Sequence, residues 1–364
     1  MSNITTTTIA SNATTTFPLD YYYSLFVNPL IVVRFYQIGY PITFLLGFVG
    51  NTLSLITFSR LTLRKVSTGC LFIILAISDT LFLVISVFDF VEFGLQIPFY
   101  RHLPYNELCR FRTFISSVSQ VLSSWTLVTV SVDRWIRARF PYKSGSLCTP
   151  KKAFLVVGVI LLIDVGLYAQ VLTPSFGMLL PGFSIIACGP IIFNTNYLIF
   201  YLLYWTIVQI LVVSLIPATL MILLLIDIYI NVQARKKAVI QPDNTPHETN
   251  KSRQQKTLQR QMFILMLTSI TIFLLTTLPV AIYKILSPRQ KNISFSIISI
   301  ASIWVGLGWF QTLNYAVNFY SHCLTSTLFR KEFQLQIRYL LGDKRARANA
   351  FDLTATVAVR TGYH

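Results

Sequence analysis

Long apolar runs separated by short polar ones organise this chain. Seven stretches each supply the roughly 20 mostly apolar residues that a helix needs to cross a hydrocarbon layer. They lie near Ile38 to Ser59, Ser67 to Phe93, Thr113 to Val132, Ala153 to Leu172, Tyr197 to Ile226, Gln261 to Tyr283 and Phe295 to His322. No charge stands between Arg112 and Asp133, between Arg260 and Lys284, or between Lys291 and Arg330. Runs of that length exceed the helices of soluble cores. The uncharged stretch from Val165 to Ile226 is broken by Pro174, Pro181, Gly182, Gly189 and Pro190, which predicts a loop between two spans. The pattern therefore predicts an all-α membrane protein, a seven-transmembrane helix bundle.

Beyond the seventh run the pattern becomes amphipathic. Leu328 or Phe329, Phe333, Ile337 and Leu340 share one helical face, with Arg330, Lys331, Gln334 and Arg338 off it. This predicts a short helix lying on the inner leaflet, against membrane lipids. The expected organisation is an extracellular tail over 1–36, a membrane domain over 37–323, and an amphipathic helix with a cytoplasmic tail over 324–364. An inner loop is expected from about Gln233 to Lys256.

A hydrophobic fraction of 54% with 12% charged residues agrees with the bilayer as solvent. The net charge of +17 adds orientation. With the N-terminus outside, 23 of the 30 Lys and Arg residues fall on the inner side and 7 on the outer, which is the positive-inside bias. Because the bases form short groups at membrane-edge loops, nucleic acid is not an expected partner. The first thirty residues contain no apolar signal segment, so the first span is expected to direct insertion, with the plasma membrane as destination. Asn3, Asn12 and Asn292 stand in glycosylation sequons on the outer side, whereas the sequon at Asn250 falls inside.

Ionisable groups within spans are costly and call for a reason. Asp79 lies in the middle of the second run, and other runs offer Asn51, Ser123, Asn314 and Asn318 as polar partners. A carboxylate at that depth needs a counter-charge or a proton, so these five residues are expected to form a polar pocket that binds a sodium ion. No other cofactor or metal is expected. Cys109 and Cys188 both fall on the oxidising side and are expected to pair, pinning the fourth-to-fifth loop to the top of the third helix. Cys70, Cys148 and Cys323 are expected to be thiols. His102, His247, His322 and His364 are scattered without metal spacing, which argues against a metalloenzyme.

These residues together resemble a rhodopsin-like (class A) G-protein-coupled receptor. The likeness covers roughly Ile38 to Leu340. It rests on Gly50-Asn51, on Leu75-Ala76-Ile77-Ser78-Asp79, on Cys109, and on Asp133-Arg134-Trp135 where the family has DRY. Pro217, Phe273, Pro279 and Asn318 complete the set, each in the expected span. The resemblance implies a non-enzymatic receptor for an extracellular ligand that activates a heterotrimeric G protein. It implies that Arg134 sits at the inner mouth of the bundle, held by neighbouring Asp133 at rest and released toward the G protein on activation. Arg137, Arg139 and Lys143 are expected only to mark the cytoplasmic edge. The chain departs from the family at "NFYSH", where NPxxY is common, at Thr277, where tryptophan is usual, and at Gln259 and Gln261, where an acid often faces the arginine. The seventh span followed by "CLTSTLFRKEF" is similar to a branch of invertebrate neuropeptide receptors.

Other classes fit less well. A retinal photoreceptor needs a lysine deep in the seventh span, and none occurs there. Transporters and channels commonly show repeated halves or several buried charges. For the ligand, the outer third of the third span offers Ser116 and Ser117 but no acid, which argues against an amine. A peptide is the expected ligand, with a lipid as the alternative. Asp89 and Glu92, three apart on the outer end of the second helix, can converge on one cation. Either a basic ligand residue docks there, or Arg110, Arg112 or Lys284 supplies an internal partner. Gln120, Tyr283, Trp304 and Trp309 are expected to line the deeper cavity.

Overall fold

The computed structural model describes residues 30–60, 64, 66–95, 97, 104–178, 188–239, 250–286, 297–325 and 327–340. The sequons at Asn3, Asn12 and Asn292 lie outside the described residues. Among the described residues, six helices are each long and apolar enough to cross a membrane. They begin with Leu30–Phe58, Ser67–Gly94, Tyr105–Arg139 and Pro150–Leu172, and the fifth and sixth candidates are Thr195–Asn231 and Met266–Leu286. The seventh crosses in two pieces, Ile297–Leu313 and Asn318–Thr325, and a last helix covers Thr327–Leu340. The fifth helix continues to Val239 and the sixth begins at Asn250. The connection between them is therefore shorter than the expected loop, because its Lys-, Arg- and Gln-rich flanks are good helix formers beyond the membrane.

The bundle turns large apolar side chains outward and keeps polar side chains buried among its hydrophobic clusters. Leu45, Leu162 and Ile163 are 67%, 74% and 66% exposed, while Asn51, Asp79 and Ser123 are at most 1% exposed. Many hydroxyls in the spans donate to the carbonyl one turn back, as Thr57 does to Leu53 and Thr277 to Phe273, so those hydroxyls are satisfied without water. Small residues set the close approaches. A Cβ on Gly47 would stand 2.3 Å from a Leu83 methyl and 3.2 Å from Ala316, so the first, second and seventh helices meet at a glycine.

The seventh helix breaks without the family's proline. Asn314, Tyr315 and Ala316 donate to carbonyls three residues back rather than four. Asn51 Nδ2 donates to the Tyr315 carbonyl at 3.1 Å, so a side chain from the first helix stabilises the open turn. Phe319, in the proline's place, packs against Phe329 and Phe333 of the last helix, with ring centroids 5.8 and 5.3 Å away. Phe329 also meets Phe58 at 5.1 Å. The apolar face of the last helix thus seats on the bundle.

At the end of the bundle that carries Cys109, the predicted fourth-to-fifth loop contains a short antiparallel strand pair, Phe176–Met178 with Cys188–Pro190. The fifth helix starts where the Asn194 side chain accepts from Tyr197 N–H. It then carries two π-helical segments, Phe200–Trp205 and Leu211–Leu215. Each wide turn rotates the helix, and together they leave Trp205, Ile210, Val213 and Ser214 buried.

Candidate functional site: outer cavity, buried polar core and inner mouth

Cys109 and Cys188 are bonded, with Cα atoms 5.6 Å apart. Two further ties hold the hairpin to the third helix. Asn106 Oδ1 accepts from Met178 N–H at 2.8 Å, and Arg110 Nε donates to the Phe176 carbonyl at 2.6 Å. Asn106 approaches so closely that a Cβ on Gly177 would lie 2.6 Å from its oxygen, so a larger residue there would push the Asn106 side chain away from Met178 N–H. Phe176, 2% exposed, packs its ring against Tyr201 of the fifth helix.

Beneath this cap lies a cavity of about 50 Å³, lined by Gln120, Tyr168, Gln209, Ile210, Val213, Ser214, Thr277, Val280, Ala281, Lys284 and Gln311. Five helices, the third to the seventh, contribute. Gln120 and Lys284 line it; Ser116 and Tyr283 do not, and the Trp304 side chain lies outside the described set. Trp309 is corrected outright. Its Nε1 donates to Thr43 of the first helix at 3.0 Å, and its ring covers Gly39. The seventh helix breaks five residues later, and which way this part of it faces is not revealed by spacing alone.

Asp89 and Glu92 do converge on one cation, and that cation is internal. Arg112 contacts Asp89 at 2.7 Å and Glu92 at 3.3 Å. Its side chain is 18% exposed, those of the acids 27% and 11%. The reading in which they dock a basic ligand residue is therefore replaced by a clamp between the second and third helices. Arg112→Met should leave two carboxylates facing each other at a cost of about 1–3 kcal/mol. A lower melting temperature of the solubilised protein, restored by Asp89→Asn with Glu92→Gln, would show this. An unchanged melting temperature would refute the clamp.

In the core, Asp79 is fully buried. Ser123 Oγ donates to one of its oxygens at 2.6 Å and Asn318 Nδ2 to the other at 2.7 Å. Asn51 adjoins through the Tyr315 carbonyl, and Asn314 is 1% exposed with its amide nitrogen lacking a partner among the described residues. The five expected residues thus fall on the second, third, first and seventh helices, three of them in direct contact.

At the inner mouth the expected Asp133–Arg134 pairing is not formed. Asp133 Oδ2 accepts instead from Arg137 Nε at 3.0 Å and from Thr68 at 2.7 Å, while Ser67 donates to its other oxygen. Arg137 also donates to Ser67 at 2.9 Å and to the Cys148 carbonyl at 3.3 Å. One helical turn, not one residue, brings two side chains onto the same face, so the acid meets the base four places on. Arg137 is therefore a structural tie rather than an edge marker. Arg134 makes no hydrogen bond or ion pair with a described residue. The side chains of Gln259 and Gln261 lie outside the described set.

Three further features were not predicted from the sequence. Trp135 Nε1 donates to Asp227 of the fifth helix at 2.7 Å. Trp125 Nε1 donates to the Val212 carbonyl at 3.1 Å, within a π-helical segment. Asp164, one turn before Tyr168 on the fourth helix, is 2% exposed with neither oxygen hydrogen-bonded to a described residue. The signal for Asp227 was present: it is the first charge after the long apolar run that began at Val165.

Seven helices with a disulfide-pinned outer cap, a central cavity and a basic inner mouth define a membrane receptor architecture. Residues 50–318 match the 7 transmembrane receptor (rhodopsin family) model, and the chain belongs to that family, one of receptors and not of enzymes. Among its curated relatives is the galanin receptor type 2 of Homo sapiens, 35% identical over 123 residues, covering 33% of this chain and 30% of the relative. The galanin-like G-protein coupled receptor npr-9 of Caenorhabditis elegans is 30% identical over 125 residues, covering 34% and 28%. The somatostatin receptor type 2 of Sus scrofa is 24% identical over 163 residues, covering 43% and 42%. The chain matches less than half the length of these relatives.

Proposed function

We propose that the protein is a plasma-membrane receptor for an extracellular peptide, with its N-terminus outside and its C-terminus in the cytoplasm, and that it activates a heterotrimeric G protein. The observation that carries this is the cavity under the pinned hairpin. Five helices meet there around polar side chains, and no carboxylate lines it among the described residues, which fits a peptide better than an amine. The relatives support the same reading, since galanin and somatostatin are peptides. At about 50 Å³ the cavity is far smaller than the roughly 300–1,000 Å³ usual for ligand pockets, so a side chain that enters it must part the helices. Binding is thereby tied to rearrangement of the bundle.

A synthetic peptide library applied to cells expressing the chain, read by second messengers, tests this. Peptide agonists absent from mock-transfected cells are expected. Activation by lipids with silence across the peptides would overturn the ligand class. An N-terminal tag should stain on intact cells and a C-terminal tag only after permeabilisation; the reverse would overturn the orientation.

The Asp79 pocket is proposed to hold a sodium ion when the receptor is at rest. Its carboxylate, the Ser123 hydroxyl and the nearby Asn51 side-chain oxygen, which lacks a hydrogen-bond partner among the described residues, are hard donors suited to such an ion. Asp79→Asn should abolish any sodium dependence of agonist affinity. Equal sodium effects in both forms would count against the site.

A further inference from the structure

We propose that Asp227 is a positioning residue that clasps the inner ends of the third and fifth helices and holds the G-protein mouth in its resting form. The inference rests on the G-protein-coupled reading above. Asp227 Oδ2 accepts from Trp135 Nε1 at 2.7 Å and from Asn231 Nδ2 at 2.8 Å. Asn231 in turn accepts through its Oδ1 from Arg139, and donates to the Asp227 carbonyl at 2.7 Å. Two residues of the third helix, four apart, are thus tied to two of the fifth, also four apart. Because each pair shares a face, both ties close along one seam.

The clasp sits beside Arg134, between Trp135 on one side and Arg139 one turn further on. The third helix is strapped on its other flank by Arg137, Asp133, Ser67 and Thr68 to the second helix. Trp135 also sets its ring edge-on to Phe140, the residue that ends the third helix, at 5.7 Å. The seam therefore fixes the start of the second inner loop as well. Here an acid on the fifth helix restrains this end of the third helix, while the sixth offers Gln259 and Gln261 in place of an acid.

Hydrogen bonds to a carboxylate are directional and short, and they are lost once donor and acceptor move apart by an ångström or so. Any sliding of the fifth helix's inner end past the third breaks this one. A bond present in one arrangement and absent in the other weights the equilibrium toward the first. Removing it should raise signalling in the absence of agonist.

The experiment is ligand-independent GTPγS binding in membranes from cells expressing the full chain with a panel of G proteins, normalised to surface receptor. Asp227→Leu and Trp135→Phe should each raise basal binding at least threefold. The double variant should rise no further than either alone, because both break the same bond. Asp227→Asn, whose amide oxygen still accepts from Trp135, should remain near the unaltered level, which a role for the charge alone would not allow. Unchanged or lower basal binding in Asp227→Leu and Trp135→Phe, or additive increases, would overturn the clasp. If Asp227→Leu fails to reach the surface, Trp135→Phe against Asp227→Asn carries the same comparison. Absence of nucleotide exchange with every G protein, even with an agonist from the peptide screen, would instead refute the coupling reading.

Discussion

Arg134→Ala should cut agonist-driven G-protein output at least tenfold while leaving surface level and ligand binding near those of the unaltered receptor. Its guanidinium carries five donors and keeps its charge at any physiological pH. In this structure it makes no hydrogen bond or ion pair with a described residue. Alanine there removes no tie on which the fold depends, so what is lost is its contact with a partner entering the mouth. Arg137→Ala is the contrasting variant. It strips Asp133 of its ion pair and removes the links to Ser67 and the Cys148 carbonyl. Its expected defect is a lower surface level and melting temperature. Flow cytometry of a surface tag beside second-messenger output separates the two. Full signalling by Arg134→Ala at matched expression would refute the assignment.

Cys109→Ser should lower surface expression sharply and reduce agonist potency at least tenfold in the receptor that remains. The bond closes a separation of 79 residues, and loss of a native disulfide commonly costs about 2–5 kcal/mol. Asn106 and Arg110 still hold the first strand of the hairpin, whereas the second strand, which leads toward the fifth helix, is left with its pairing to the first and the weak contact of the Cys188 sulfur with the Thr113 hydroxyl. The fifth helix supplies Gln209, Ile210, Val213 and Ser214 to the cavity, so the defect is expected at the ligand site. Cys188→Ser and the double variant should match Cys109→Ser, since all three remove one bond. Full potency in the single variants would show that the polar ties suffice.

What the sequence by itself determined follows from chemistry that acts locally. Apolar runs of about 20 residues need no tertiary information to be read as spans, because the solvent that satisfies them is the membrane. The seven-helix architecture, the cysteine pair, the family motifs and the burial of Asp79 are legible for the same reason: each depends on residue type and position along one span. Which side chains meet across helices was decided only by the tertiary structure. Asp133 turns to Arg137, Arg112 takes both Asp89 and Glu92, Trp309 packs on the first helix, and Trp135 reaches Asp227. Helix rotation sets these pairings. In a bundle whose outer surface is uniformly apolar, hydrophobic periodicity carries little information about rotation, because lipid-facing and protein-facing positions both accept leucine. The break at Asn314 to Val317 and the π-helical segments of the fifth helix shift that rotation further, and neither is marked by a proline or a glycine within it. They arise from contacts between helices, as where Asn51 holds the Tyr315 carbonyl, and such contacts exist only once the bundle has assembled.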